Sequence, residues 1–214
     1  MNTQLQLNVY QENKKKLSYY VPDLSLVQES FNKMVHINKP VPYWAKVWPS
    51  AFGLCSFLVQ QPYYIYGKNV LELAGGLGLP SLVAAEYAKH ICFSDYNPEA
   101  VDIVKKSVAF NKFENIYCEV LDWRHLPSTL KPDVLLLSDV NYDPPDFDVL
   151  YDVIKSFLKN GSIVILSTPQ RLMAKPFIEA LNPWCRKQEE VSVVYGQEEI
   201  KISVFVLAEE DISR

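Results

Sequence analysis

Hydrophobic and polar residues alternate in two short runs near the start of the chain. Residues 5–9 show this alternation, and residues 17–21 repeat it after the polar residues 12–14. A period of two on both sides of a polar turn predicts a β-hairpin. Residues 25–35 instead carry apolar side chains at helical spacing, which predicts a helix directly after the hairpin.

Short apolar runs alternate with amphipathic segments from residue 69 onward. The predicted strands are 70–73, 91–94, 116–120, 134–137 and 162–166, and the predicted helices are 78–88, 98–111, 146–158 and 171–181. Pro49 suits the first position of an earlier helix. Residues 191–195 and 200–207 flank Gly196-Gln197, which predicts an antiparallel hairpin at the edge of the sheet.

This order of elements predicts an α/β fold with a doubly wound, mostly parallel, seven-stranded Rossmann-like sheet. The length of 214 residues suits one such domain. We expect residues 1–45 to form an N-terminal extension of hairpin and helix that packs on a core domain of residues 46–214.

Composition narrows the classes of protein that fit. Hydrophobic residues make up 49% and charged residues 21% of the chain, which excludes disorder as its main state. The net charge of −4 argues against a nucleic-acid partner. We expect no membrane span, because no apolar run approaches 18 residues, and a cytoplasmic location. We expect no metal site, because the cysteines and histidines do not show the spacing of metal ligands. These residues are Cys55, Cys92, Cys118, Cys185, His36, His90 and His125.

The run from Glu72 to Gly78 follows a predicted strand and opens a predicted helix. Its small residues let the backbone approach a ligand, and we expect the Glu72 carboxylate to point into the same crevice. Asp95 ends the next strand, 23 residues after Glu72, where an acid can bind both ribose hydroxyls of a nucleoside. A dinucleotide fingerprint would need a third glycine where Ser81 stands.

The run E-x-A-G-G-x-G resembles the first motif of class I S-adenosylmethionine-dependent methyltransferases. The order of the candidate motifs resembles that of the seven-strand protein-lysine methyltransferases: Trp48-Pro49, Glu72 to Gly78, Asp95, Asp122-Trp123 and Ser138-Asp139-x-x-Tyr142. Residues 42–49 look most like the branch that contains the electron-transfer flavoprotein β-subunit lysine methyltransferase. The same domain occurs in proteins named nicotinamide N-methyltransferases. The resemblance covers roughly residues 40 to 207.

The resemblance implies S-adenosyl-L-methionine as cofactor and divides the candidate residues into two groups. The cofactor-binding candidates are Trp48, Glu72, Ala74, Gly75, Gly76, Gly78, Asp95, Asp122, Trp123 and Ser138, with Asp122 and Trp123 beside the adenine. The catalytic candidates are Asp139 and Tyr142, at the acceptor side. Ala74 stands where the family usually has a glycine. We expect it to tolerate an ordinary backbone conformation, and to narrow the cofactor crevice if its φ has to be positive.

Methyl transfer to an amine nitrogen is the reaction that these residues favour, with a protein lysine side chain as the preferred acceptor. A small-molecule amine N-methyltransferase is the alternative enzyme. A non-catalytic nucleoside-binding protein on the same fold is the alternative outside enzymes. The sequence leaves open the acceptor, the number of methyl groups added, the oligomeric state, and whether the N-terminal extension is a lid or a docking surface.

Overall fold

The computed structural model describes residues 4–13, 15–35 and 42–209. Their strands are β1 (Leu5–Glu12), β2 (Lys15–Pro22), β3 (Asn69–Leu73), β4 (His90–Asp95), β5 (Ile116–Val120), β6 (Val134–Ser138), β7 (Ile163–Pro169), β8 (Cys185–Tyr195) and β9 (Glu198–Leu207). Their α-helices are α1 (Leu24–Val35), α2 (Pro49–Gln60), α3 (Leu79–Ala84), α4 (Pro98–Asn111), α5 (Phe147–Lys159) and α6 (Lys175–Leu181).

Seven strands form one sheet in the order β5-β4-β3-β6-β7-β9-β8. The first five are parallel neighbours, while β9 pairs antiparallel with both β7 and β8. These pairings confirm the predicted fold class, including the C-terminal hairpin at the sheet edge. The chain runs outward from β3 to β5 and then returns to β6, so a crevice opens where β3 meets β6. In open α/β sheets, ligands bind at this switch point, beyond the carboxyl ends of the strands.

The two faces of the sheet have separate cores because successive side chains of a strand point to opposite faces. Val134 and Leu136 of β6 pack with α2, α3 and α4, whereas Leu135 and Leu137 pack with α5 and α6. All four side chains are fully buried. Burial on both faces explains why the sequence of this strand is continuously apolar.

Two predicted helices are shorter than expected. The one predicted at 78–88 ends at Ala84, because the backbone then turns back toward β4, with Ala84 accepting hydrogen bonds from both Tyr87 and Ala88. The one predicted at 171–181 begins only at Lys175, after a 3₁₀ turn at Leu172–Ala174. Pro176 explains this later start, since proline is tolerated in the first turn of a helix but not in its interior.

The predicted N-terminal hairpin is present and packs on α4. The Asn111 side chain accepts a hydrogen bond from the Ser18 backbone N–H at 3.0 Å and donates one to the Ser18 carbonyl at 2.6 Å. Ser107 accepts a further hydrogen bond from the Tyr20 backbone. The hairpin also buries Tyr10, Leu17 and Tyr19 in the larger core. Among the helices of the described residues, none is long and apolar enough to cross a membrane.

Candidate active site

An open cleft of about 850 Å³ lies at the carboxyl ends of β3, β4, β6 and β7. The segment Tyr43–Trp48 forms one of its walls. Nine of the predicted site residues line it: Trp48, Ala74, Gly75, Gly76, Gly78, Asp95, Ser138, Asp139 and Tyr142.

The turn between β3 and α3 requires a backbone that few residues other than glycine adopt. Gly76 and Gly78 have φ values of +56° and +67°. A Cβ atom on Gly76 would lie 3.2 Å from the Trp44 carbonyl oxygen, and one on Gly75 would lie 2.5 Å from the Phe93 ring. The small residues therefore let the turn pass close beneath the Tyr43–Trp48 segment.

Ala74, the first residue of this turn, has a φ of +52°. The backbone at Ala74 is therefore left-handed, which is the case in which the sequence predicts that Ala74 narrows the crevice. The left-handed region costs an L-residue roughly 1–2 kcal/mol, because its Cβ approaches the carbonyl oxygen that follows. Ala74 consequently carries strain that a glycine would not.

Asp95, at the end of β4, is almost fully buried beside the turn. Its carboxylate accepts hydrogen bonds from the Gly76 N–H at 2.9 Å and the Asn97 N–H at 2.8 Å. Burial raises the pKa of Asp95, and these backbone donors act in the opposite direction. A carboxylate has about four lone-pair sites, so acceptor capacity remains for ribose hydroxyls.

Glu72 is not a lining residue of the cleft, and the expectation that its carboxylate points into the crevice is wrong. The side chain is fully buried, and its carboxylate accepts hydrogen bonds from the Ser81 N–H at 3.0 Å and from the Ser81 hydroxyl. Burial raises the pKa of Glu72 to about 8 despite these hydrogen bonds. Glu72 therefore connects the end of β3 to the first turn of α3 through hydrogen bonds in the protein interior.

Asp122 and Trp123 also lie outside the set of residues that line the cleft. Asp122 accepts a hydrogen bond from the Arg124 N–H at 2.9 Å, which caps a 3₁₀ turn at Trp123–His125. The adjacent Leu121 N–H donates to the Asp95 carbonyl at 3.1 Å. The pair thus follows directly on the residue bonded to Asp95, and its placement beside the adenine stays a prediction.

Asp139 and Tyr142 enter the cleft from the segment that follows β6. Asp139 is largely buried, has a φ of +57°, and donates its backbone N–H to Ser167 of β7 at 2.9 Å. Its carboxylate forms an ion pair with Arg171. The Tyr142 ring lies 4.6 Å from the Tyr43 ring between centroids, and Tyr43 lies 6.0 Å from Trp48. The cleft is therefore lined both by the Asp139–Arg171 ion pair and by a group of aromatic rings.

Sequence reasoning missed several residues that line the cleft. Arg171 follows β7 by two residues. Its position beyond the carboxyl end of a predicted strand could have indicated a site residue. Lys46 and Trp44 line the wall opposite the glycine turn, where spacing alone offered no signal. The Trp44 indole N–H and the Ser138 hydroxyl are buried and, among the described residues, have no hydrogen-bond partner. Both polar atoms are available to a ligand in the cleft.

Comparison with known proteins identifies this architecture. A family profile described as lysine methyltransferase matches residues 43–184. The chain belongs to this family. The methyltransferase is 30% identical over 142 residues to the histone-arginine methyltransferase METTL23 of Homo sapiens, a match that covers 63% of this chain and 75% of that protein. It is 30% identical over 135 residues to the electron transfer flavoprotein beta subunit lysine methyltransferase of Rattus norvegicus, covering 61% of this chain and 51% of that protein.

Solved structures share the fold of this methyltransferase. The N-methyltransferase NodS of Bradyrhizobium japonicum, in complex with S-adenosyl-L-homocysteine, superposes with a TM-score of 0.61 at 15% identity. That match covers 86% of this chain and 99% of the other. Family membership makes S-adenosylmethionine the cofactor and the chain a methyltransferase. The close glycine turn, the buried Asp95 carboxylate and the two unpartnered polar atoms fit such a nucleoside in the cleft.

Proposed function

We propose that this enzyme transfers a methyl group from S-adenosylmethionine to an amine nitrogen of a protein side chain, with lysine as the favoured residue. The observation that carries the proposal is that the buried Asp139 carboxylate lines the same cleft as Asp95 and as the paired rings of Tyr43 and Tyr142. Relatives named as lysine and histone-arginine methyltransferases support a protein acceptor. The net charge of −4 favours a cationic acceptor over a nucleic acid.

The cofactor supplies an electrophilic methyl group on a sulfonium. The acceptor nitrogen donates its lone pair to the methyl carbon, the carbon–sulfur bond breaks toward sulfur, and the nitrogen loses a proton. This direct displacement requires positioning rather than an enzyme nucleophile.

We assign Trp48, Asp95 and the Ala74–Gly78 turn to cofactor binding. Asp139 and Tyr142 are assigned to the acceptor.

A lysine acceptor must first lose its proton. With a reference pKa near 10.4, the free amine at pH 7 costs about 4 to 5 kcal/mol. Partial burial against the rings of Tyr43 and Tyr142 lowers this cost because burial disfavours the ammonium form, and Arg171 offsets the opposite effect of the Asp139 carboxylate. Asp139 then accepts a hydrogen bond from the amine and orients the lone pair.

Tyr142 acts as a hydrogen-bond donor and not as a base. Burial, together with the nearby Tyr96, Asp146, Tyr43 and Asp143, raises the pKa of Tyr142 to about 12. The phenol therefore keeps its proton at neutral pH. It lines the acceptor side and offers a polar contact within an otherwise aromatic wall.

Methyl-labelled S-adenosylmethionine and a cell lysate test the proposal. We expect label on protein, and acid hydrolysis of that protein should release N-methylated lysine. Release of methylarginine or methylhistidine would show that the methylated residue is not lysine, while the proposal of a protein acceptor would stand. Label confined to small molecules would overturn the proposal in favour of a metabolite N-methyltransferase. No incorporation above a no-enzyme control would favour the non-catalytic alternative.

A further inference from the structure

Four charged side chains line the cleft, and three of them are already engaged. Arg171 and Asp139 form an ion pair, and Asp95 accepts hydrogen bonds from two backbone N–H groups. The fourth is Lys46. Among the described residues, no carboxylate lies within ion-pair distance of its ammonium group, whose recorded contacts are with two aromatic rings.

Those two rings hold the ammonium in place. The Lys46 Nζ lies 4.6 Å from the Trp48 ring centroid and 5.1 Å from the Tyr195 ring centroid. Both rings are themselves fixed, since Trp48 donates a hydrogen bond to the Tyr43 carbonyl at 2.8 Å and Tyr195 donates one to the Val47 carbonyl at 3.1 Å. Cation–π contacts orient an ammonium group without using its N–H donors. Lys46 therefore presents a positioned cation whose three donors are available to an anion.

The position of Lys46 relative to the glycine turn indicates which part of the cofactor it can reach. Gly76 binds the Asp95 carboxylate through its N–H, while the Trp44 carbonyl faces the position of the absent Cβ of Gly76. The Asp95 side and the Trp44–Lys46 side thus contact the turn from different directions. A cofactor whose ribose lies on Asp95 could therefore span the turn, with its amino-acid part on the side of the segment that carries Lys46.

We propose that Lys46 binds the α-carboxylate of the methionine moiety of S-adenosylmethionine. That carboxylate is the cofactor's single anionic group, and Lys46 is the single cleft cation of the described residues that no carboxylate neutralises. A lysine ammonium and a carboxylate form a charge-assisted hydrogen bond, which is stronger than a neutral one. The inference rests on the cofactor and not on the identity of the methyl acceptor.

Calorimetric titration with two related ligands tests this contact without any acceptor. S-adenosylhomocysteine carries the amino-acid moiety, whereas 5′-methylthioadenosine keeps the nucleoside and the sulfur but lacks the carboxylate. We expect Lys46→Gln to weaken S-adenosylhomocysteine about tenfold, or about 1.4 kcal/mol. Affinity for 5′-methylthioadenosine should stay within about twofold of wild type, and Lys46→Arg should restore most of the lost affinity because it restores the charge.

Lys68→Gln is the matched control, since Lys68 is also a half-buried lysine but lies just before β3, at the far end of the strand from the cleft. It should change neither affinity. Lys46→Met removes the charge and keeps an apolar stem against the rings, so it repeats the test if the glutamine variant folds poorly. The proposal would be overturned if Lys46→Gln lowered the affinity for both ligands equally or for neither. It would also be overturned if Arg171→Gln, and not Lys46→Gln, selectively lowered the affinity for S-adenosylhomocysteine.

Discussion

Two residues other than glycine adopt the left-handed backbone conformation at the cleft. They are Ala74 in the glycine turn and Asp139 after β6. Such conformations persist where the surroundings hold them, and they concentrate at functional sites. At Asp139 the surroundings are the hydrogen bond to Ser167 and the ion pair with Arg171. At Asp139, the left-handed conformation therefore directs the carboxylate toward Arg171. At Ala74, it only sets the direction of the backbone through the turn.

Ala74→Gly should stabilise the protein. Glycine removes the left-handed cost of roughly 1–2 kcal/mol but adds about 0.5–1 kcal/mol of chain entropy to the unfolded state, so we expect a net gain of up to ~1.5 kcal/mol. Urea unfolding measures the change. Ala85→Gly is the control, because Ala85 has an ordinary helical φ of −56°, and it should destabilise by about 1 kcal/mol. Equal destabilisation by both variants would contradict the strain at Ala74.

Asp139→Asn should separate methyl transfer from cofactor binding. Asparagine tolerates the same backbone conformation but lacks the charge that faces Arg171 and the acceptor amine. We expect near-normal affinity for S-adenosylhomocysteine and at least ~100-fold slower transfer, a loss of ~2.7 kcal/mol at the barrier. Calorimetry and single-turnover labelling of the protein that the wild type methylates measure the two effects.

Asp102→Asn is the control for this experiment, because Asp102 forms an exposed ion pair with Lys105 on α4. It should leave both quantities unchanged. If Asp139 only caps the loop that follows it, Asp139→Asn will melt at a lower temperature but transfer methyl groups at a normal rate per folded molecule. That outcome would remove Asp139 from the active site.

Nine of the twelve site residues predicted from the sequence line the cleft, since glycines in a strand-to-helix turn and acids at strand ends have few alternative reasons to occur together. The sequence did not determine in which direction each side chain points. Glu72 and Asp95 both lie near strand ends, yet one points beneath the turn and the other lines the cleft. The position of Arg171 beside Asp139 joins residues 32 apart, and no local pattern encodes such a pair.

At the scale of single elements, helix α3 depends on a carboxylate from the strand before it. Glu72 of β3 binds Ser81 in the first turn of this six-residue helix. A helix this short has little stability of its own. The same reasoning explains the errors in predicted boundaries: periodicity locates α3 and α6, but where each one ends depends on backbone hydrogen bonds and on Pro176.

Glu72→Gln should change how stability depends on pH. The pKa of Glu72 is about 8 in the folded protein against 4.5 for an ordinary glutamate, so between these values the folded state holds a proton that the unfolded state has released. This group therefore stabilises the fold below pH 4.5 and loses that contribution as pH rises to about 8. The slope is about 1.4 kcal/mol per pH unit across this window.

The free energy of unfolding, measured in urea from pH 5 to 8, should fall more steeply for wild type than for Glu72→Gln. Ser81→Ala is a second test variant, which should raise the pKa of Glu72 and not remove its titration. It removes the Ser81 hydroxyl, a donor that lowers the pKa of Glu72, and keeps the backbone N–H, so the falling region should extend to higher pH. Parallel curves for wild type and Glu72→Gln would show that Glu72 is ionised throughout this range.

At the scale of the whole molecule, the doubly wound parallel sheet and the C-terminal hairpin were predictable, because short parallel connections allow few topologies. The docking of the N-terminal hairpin on α4 was not, since it depends on the amide of Asn111 bonding to a strand 93 residues away. That amide satisfies the N–H and the carbonyl of Ser18 as a neighbouring strand would. The hairpin thereby becomes part of the larger core.

Asn111→Ala should lower the stability of the entire protein and not of the hairpin alone. It leaves both backbone groups of Ser18 without their partner, at a cost of about 1–3 kcal/mol. The four tryptophans, at 44, 48, 123 and 184, all lie outside the hairpin, so their fluorescence reports the core. We expect one urea transition with a lower midpoint. Asn160→Ala, at an exposed helix end, should stay within about 0.5 kcal/mol of wild type. An unchanged tryptophan transition in Asn111→Ala would show instead that the hairpin unfolds independently of the methyltransferase core.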